Sequence, residues 1–398
     1  MPSSGFAVSL KRASNQPLLT VLEYLHWDTH TCYNDKGVRV HLANEQSKDF
    51  RKRNMQTLDE LVKEFFENAD RIAEELISGF SLNHNRVVEG LQTPMLRWLD
   101  FRLRTIDPYP RQIYLSDRFP KSLDEPTSRA LQGIEHAILK GDDINPFQGK
   151  GLMRSDSSGK NRNERTDLLW ADWGIHHLHV AETQTDPTAY FSNRSDFLLF
   201  ALFGHDVALF IDVQPHSGDP LRFAREDLIQ VVARNWPSVL EPFELKRGFI
   251  AERQVSDEER KLLRKSGIEA PLLINGKTYF SPGHGVTSAS TPGKVTDAIG
   301  RLRRNLNALA RQVFEPSGQF QTALPEARRH DSHFSLRLLP EGIVVYEQST
   351  DRAWTFPDAK FDGTDSFFGE ISNALTPPWV KDAMQKAVRK TQSDAGAE

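Results

Sequence analysis

The sequence predicts an α+β protein with an antiparallel sheet and helices in its central part. Three patterns carry this prediction. An amphipathic helix follows Thr57, two almost wholly apolar strands at 196–203 and 207–213 are separated by only three residues, and an apolar stripe recurs at helical spacing over 295–313. The flanking regions are expected to be mixed α/β at the N-terminus and helical with a hairpin at the C-terminus.

The N-terminal region, residues 1–125, is expected to begin with strands and continue with a helix. Thr57 and Glu60 have the Thr-x-x-Glu spacing of a capping box, and an apolar stripe follows up to Gly79, which is suited to ending a helix. The segment 94–120 is expected to be irregular because several prolines interrupt it. Short apolar runs predict two strands, at 18–25 and 38–42.

The central region, residues 126–240, is expected to form one domain. Its predicted helices span 128–140, stopped by Gly141, and 225–236. Its predicted strands are 173–180, 196–203 and 207–213. The last two are apolar at nearly every position, which predicts central strands covered on both faces. The polar stretch 149–166 is expected to be a loop.

The C-terminal region, residues 241–398, begins with a second capping-box spacing at Ser256 and Glu259. The stripe over 295–313 predicts a helix of about five turns with an exposed basic face. The strands 334–339 and 343–348 flank Pro-Glu-Gly and predict a hairpin. The basic residues favour a solvated helix face, and an RNA- or phosphate-facing surface is the alternative.

Composition narrows the function classes. Lys and Arg number 50 against 54 Asp and Glu, a net charge of −4, which argues against a generally basic nucleic-acid-binding coat. The single cysteine, Cys32, excludes an intrachain disulfide and a zinc site with several thiolates. The longest apolar run is far shorter than a membrane span, and the first residues lack the order of a signal peptide, so a cytoplasmic protein without a membrane partner is expected.

Histidines are concentrated in the central region. Five of the 13 lie between His176 and His216. His177 and His179 are two positions apart on a predicted strand, so their side chains are expected on the same face. Histidines that converge on neighbouring strands are typical of acid–base sites at neutral pH.

The run from 196 to 217 resembles part of the RelE-type bacterial ribonuclease toxins, in their histidine-dependent branch. The matching pieces are His179, Asp196-Phe197, Leu198-Leu199 and His216-Ser217. The helix that ends at Leu139-Lys140-Gly141 agrees with the order of helix before sheet in that family. The resemblance covers about 110 of the 398 residues, from about 128 to 236.

By this resemblance the chain would be a metal-independent endoribonuclease of toxin or phage-defence type, without a cofactor. RNA would be cleaved by its own 2′-hydroxyl, with His216 as the acid and with His179 paired to Asp196 as the base. Arg194 would neutralise charge on the transition state. The expected partners are RNA, at a ribosome in some members of the family, and an antitoxin protein.

Two alternatives remain open at the level of sequence. His177 and His179 could bind a divalent ion, with His216 or an aspartate as the third ligand, in a metal-dependent phosphoester hydrolase. The chain could instead be a non-catalytic protein that keeps the fold to bind RNA or a partner.

Overall fold

The computed structural model describes residues 56–82, 93–153, 167–182, 189–216, 223–246, 253–287, 291–358 and 366–395, with the isolated residues Gly218 and Leu221 and the backbone of two short N-terminal strands. The predicted strand at 18–25 and the position of Ser217 lie outside the described residues. The chain divides into two compact units. Unit 1 contains Arg104–Leu152 and Asn163–Ser290, and unit 2 contains Pro17–Leu103 and Thr291–Glu398. Unit 2 therefore combines segments that precede and follow the main part of unit 1 along the chain.

The α-helices of the described part are α1 (Leu58–Gly79), α2 (Pro94–Arg104), α3 (Glu125–Lys140), α4 (Leu168–Trp173), α5 (Asp227–Asn235), α6 (Asp257–Lys265), α7 (Gly293–Phe314), α8 (Gln319–Thr322), α9 (Phe367–Leu375) and α10 (Pro378–Ala395). The strands are β1 (His30–Tyr33), β2 (Arg39–Leu42), β3 (Gln112–Leu115), β4 (His176–His179), β5 (Phe197–Phe203), β6 (Val207–Pro215), β7 (Leu272–Ile274), β8 (Lys277–Tyr279), β9 (Phe334–Leu339), β10 (Gly342–Glu347) and β11 (Arg352–Thr355). These helices and strands confirm a mixed α+β protein with several small sheets.

Several local predictions are confirmed. Thr57 and Glu60 form the capping box of α1, Ser256 and Glu259 form that of α6, and Gly141 ends α3 in the left-handed conformation with φ 77°. A capping box satisfies two backbone N–H groups that otherwise lack a partner at a helix start.

The prediction of an irregular segment at 94–120 was wrong. Helix α2 begins at Pro94, where the missing N–H costs no helical hydrogen bond, and it ends before the remaining prolines of the segment. Its apolar side chains, including the fully buried Trp98, form part of the core. The predicted strand at 173–180 is also shorter than expected, because Gly174 ends α4 with φ 74° before β4 begins.

A four-stranded sheet organises unit 1. Its strand order is β3-β6-β5-β4, with β3 parallel to β6 and the other pairs antiparallel. The expected antiparallel sheet is therefore mixed, because the segment predicted to be irregular supplies β3. The loop Gly204-His205-Asp206 joins β5 to β6, as predicted, with Gly204 N–H donating to Val207 O at 2.9 Å.

Both faces of this sheet are covered, as the apolar strands predicted. Alternate residues of β5 supply the two cores: Leu199 and Ala201 face α3, whereas Leu198 and Phe200 face α4, α5 and β7. The first core includes Ile134 and Ile138 of α3, Leu178 of β4 and Phe210 of β6. The second includes Trp173 of α4, Ile229 and Val232 of α5, Leu272 of β7 and Ile211 of β6.

Unit 2 contains the predicted C-terminal helix and hairpin. The α7 stripe is buried at Val295, Leu302, Leu306, Leu309 and Val313, and the arginines 301, 303, 304 and 311 are exposed. Strands β9 and β10 form the predicted hairpin, and β11 pairs with β10 on its other edge. Within the described residues, no helix has the length and apolar character needed to cross a bilayer.

Candidate functional site

The register of the unit 1 sheet places the predicted site residues on one face. His179 is opposite Leu198, and Leu198 is opposite Gln214. Asp196 and His216 continue the same alternation two residues further along β5 and β6, and the backbone N–H of His216 donates to Asp196 O at 2.6 Å. The strands therefore bring His179, Asp196 and His216 to the same end of one face.

The rings of His179 and His216 are stacked. Their centroids are 5.3 Å apart, and their planes make an angle of 26°. His179 is buried, with 8% of its surface exposed, whereas His216 is exposed at the end of β6. The pair therefore consists of one buried imidazole and one imidazole that solvent or a ligand can reach.

His179 is held in its neutral form at neutral pH. Burial, and to a smaller extent the charges of His177, His216 and Arg194, together lower its pKa to about 4. The backbone N–H of Ser195 points at Nδ1 of the ring, at 3.4 Å. In the neutral ring this contact favours the proton on Nε2, because Nδ1 is the acceptor.

The predicted pairing of His179 with Asp196 is not formed. Among the described residues, no hydrogen bond joins the Asp196 carboxylate to His179, and Asp196 is exposed. The reason is the connection between the strands: Ser195 turns inward, and its hydroxyl donates to Val180 O at 2.5 Å and accepts from Phe197 N–H at 3.1 Å. Arg194 is exposed beside the site, where its charge reaches His179.

His177 has a carboxylate partner that the sequence analysis missed. Its Nδ1 lies 2.9 Å from Oδ2 of Asp167, and the two side chains are 23% and 24% exposed. Asp167 is the N-cap residue of α4. In the sequence, the aspartate directly before the apolar run Leu168–Trp170 is at a typical N-cap position, which predicts a helix start. Nothing in the sequence indicates that the second oxygen of this carboxylate reaches β4.

A second polar cluster lies across the same face. Nε of Arg118 is 2.8 Å from Oδ2 of Asp212, and its Nη1 is 2.6 Å from Oδ2 of Asp227. Gln214 Nε2 donates to the same Asp212 oxygen at 2.8 Å. Burial raises the pKa of Asp212, and the hydrogen bond from Gln214 and the charge of Arg118 oppose that rise.

A metal centre finds no support in the described part of the chain. There, no three His, Cys, Asp or Glu side chains are grouped so that they could hold a metal ion. Nδ1 of His177 lies 2.9 Å from the Asp167 carboxylate, an ion-pair contact without the angle of a hydrogen bond. The His177/His179 pair proposed as metal ligands is therefore engaged with protein groups.

Comparisons with known proteins found no similar protein. No protein-family model, no curated protein and no solved structure matches this chain.

Proposed function

We propose that this chain is a metal-independent endoribonuclease of toxin or phage-defence type, with a RelE-like arrangement in unit 1. The observation that carries the proposal is the stacked pair of His179 and His216, with Arg194 beside it, on one face of the sheet. Paired imidazoles and a guanidinium are the groups that metal-free RNA cleavage needs.

The reaction is an internal transesterification. The 2′-hydroxyl gives up its proton to a base, and its oxygen forms a bond to the adjacent phosphorus. The bond from phosphorus to the 5′-oxygen breaks, and an acid supplies the proton that this oxygen takes up. The products are a 2′,3′-cyclic phosphate and a 5′-hydroxyl.

His216 is suited to the role of the acid. It is exposed at the end of β6, so a leaving oxygen can approach its ring without displacing the core. One positioned acid–base group typically contributes about 10²–10⁴-fold to a rate.

His179 is suited to a different role from the one predicted. With Nδ1 facing the Ser195 N–H, the neutral ring presents Nε2–H as a hydrogen-bond donor. A neutral donor fits a non-bridging phosphate oxygen, and Arg194 can neutralise charge on the same phosphate. A base whose pKa is about 4 would also accept the 2′-hydroxyl proton poorly.

The proposed partners follow from this activity. They are RNA, either free or on a translating ribosome, and an antitoxin protein that would cover the histidine face. The proposed location is the cytoplasm, where these partners are found.

Cleavage of an RNA oligonucleotide tests the proposal, with and without translating ribosomes and always in EDTA. The wild-type protein should cleave an all-RNA substrate and leave the same substrate intact when the cleaved position is 2′-deoxy. His216→Ala should lower the rate by about 10²–10⁴-fold. His136→Ala, which changes an exposed histidine on α3, is the matched control and should leave it unchanged. Cleavage of the 2′-deoxy substrate, or an undiminished rate for His216→Ala, would contradict the proposal.

A further inference from the structure

The stacked histidines, His179 and His216, do not supply a base for the proposed reaction. His216 is assigned as the acid and His179 as a neutral donor, so the 2′-hydroxyl still needs a base. A third histidine on that face is His177, which is two residues from His179 on β4 and opposite Phe200 of β5.

The imidazole ring of His177 contacts a carboxylate at its edge and an aromatic ring at its face. Nδ1 is 2.9 Å from the Asp167 carboxylate. The ring centroid lies 5.0 Å from that of Phe223, which covers it with a tilted ring. A carboxylate 2.9 Å from Nδ1 favours the neutral tautomer with the proton on Nδ1, although the contact lacks the angle of a hydrogen bond. In that tautomer Nε2, at the other side of the ring, carries the lone pair that can accept a proton.

The carboxylate of Asp167 is itself fixed by the backbone. Its Oδ1 accepts from the N–H groups of Leu169 at 2.9 Å and Trp170 at 3.2 Å, which leaves Oδ2 for His177. One side chain thus begins α4 and orients an imidazole on β4. An oriented carboxylate–imidazole pair of this kind keeps one tautomer and stabilises the imidazolium that forms on proton uptake.

We propose that His177 is the catalytic base of the RNA-cleavage reaction and that Asp167 is its positioning residue. This inference rests on the proposed function. In the step it assigns, Nε2 of His177 accepts the 2′-hydroxyl proton, the 2′-oxygen bonds to phosphorus, and the resulting imidazolium is held against the Asp167 carboxylate. His216 supplies the proton to the departing 5′-oxygen.

The charges around the pair agree with this assignment. Burial alone lowers the pKa of His177, but the charge and contact of Asp167 outweigh it, so the pKa is raised overall; the pKa of Asp167 is lowered. The other charged or titratable groups facing the pair are His179 and His176 on β4 and Arg264 on α6. Arg264 is itself paired with Asp172, at 2.6 Å. His177 is therefore a stronger base than His179, which the same surroundings keep neutral down to a pH of about 4.

Asp167→Asn is the decisive variant. Asparagine caps a helix as well as aspartate does, so α4 is kept. Its only oxygen is needed for the Leu169 and Trp170 N–H groups, so its NH₂ group faces His177 and favours the tautomer with the proton on Nε2. That tautomer cannot accept the substrate proton at Nε2.

Asp124→Asn is the matched control. Asp124 is the N-cap of α3 in the same unit, where its side chain accepts from Thr127 N–H at 2.9 Å. We expect Asp167→Asn to lower the rate of RNA cleavage by about 10²–10⁴-fold and Asp124→Asn to leave it unchanged. The ¹⁵N chemical shifts of the His177 ring should show the proton on Nδ1 in wild type and on Nε2 in Asp167→Asn.

The outcomes separate this inference from the proposed function. If wild type cleaves RNA and Asp167→Asn cleaves it equally fast, the role of Asp167 is overturned while the proposed function stands. A wild-type His177 with its proton on Nε2 would overturn the role as well. If wild type cleaves no RNA, with or without ribosomes, both proposals fail. Should Asp167→Asn not fold, His177→Gln decides: a large loss of rate supports the inference, and a wild-type rate overturns it.

Discussion

Replacing His179 with glutamine should remove a pH-dependent part of the stability of this protein. The pKa of His179 is about 4 in the folded chain against about 6.5 in the unfolded chain, because burial and neighbouring positive groups disfavour the charged ring. Between these two values the unfolded chain binds more protons than the folded one. The contribution of His179 is therefore fully present above pH 6.5 and is lost as the pH falls towards 4.

The size of this effect follows from the shift. A shift from 6.5 to about 4 corresponds to about 3 kcal/mol in full, of which about 2 kcal/mol would be lost between pH 7 and pH 5. Solvent screening at the open side of the ring lowers the expected loss to about 1 kcal/mol. His177 acts in the opposite direction, since its raised pKa gives stability that is present below pH 6.5 and lost as the pH rises.

The assay is urea unfolding of wild type and His179→Gln at pH 7 and pH 5. Comparing the two proteins cancels the titrating groups that do not interact with His179, and the measured difference is that of His179 together with its coupling to His177 and His216. Wild type should lose about 1 kcal/mol more free energy of unfolding than His179→Gln on going to pH 5. The exposed His136→Gln on α3 is the matched control and should behave as wild type does. Equal losses in wild type and His179→Gln would refute the reasoning about the buried ring.

Three further predictions concern the stability of the fold: one core leucine, one buried ion pair and one closely packed glycine. Leu302→Ala should lower the free energy of unfolding by about 2–4 kcal/mol in a urea titration, because the residue is 2% exposed in the core, whereas alanine at the exposed arginines of α7 should change it little; equal effects would contradict the burial of this stripe. Arg264→Ala should cost about 3–5 kcal/mol in the same assay because it leaves the buried Asp172 without its ion-pair partner, and a cost below about 1 kcal/mol would refute this. Gly283→Ala should cost about 1–3 kcal/mol because a Cβ there would collide with the carbonyl oxygen of Ala171, and a melting temperature equal to that of wild type would show that α4 can yield.

Local patterns in the sequence predicted much of the fold. Helix α7 could be predicted because a single apolar stripe decides which face is buried, and α1 because its capping box is a local hydrogen-bond motif. The β5–β6 hairpin could be predicted because both strands are apolar at nearly every position and only three residues separate them. Helix α2 and strand β3 could not, because the prolines of 94–120 indicate breaks and not what lies between them.

The candidate site was predictable to the extent that strand alternation determines it. The common face of His177, His179 and His216 follows from the period of two residues along β4 and β6. The partners of these rings depend on contacts distant in sequence or on the turn geometry of a loop. The Ser195 N–H and the Asp167 carboxylate are therefore visible only in three dimensions.

The ends of the RNA product test the central claim most directly. Purified protein is incubated in EDTA with an end-labelled RNA, with and without translating ribosomes, and the new termini are identified by mass spectrometry. The account predicts a 2′,3′-cyclic phosphate or its 3′-phosphate hydrolysis product, together with a 5′-hydroxyl. A 5′-phosphate with a 3′-hydroxyl, or cleavage that is lost in EDTA and restored by zinc or manganese, would contradict it.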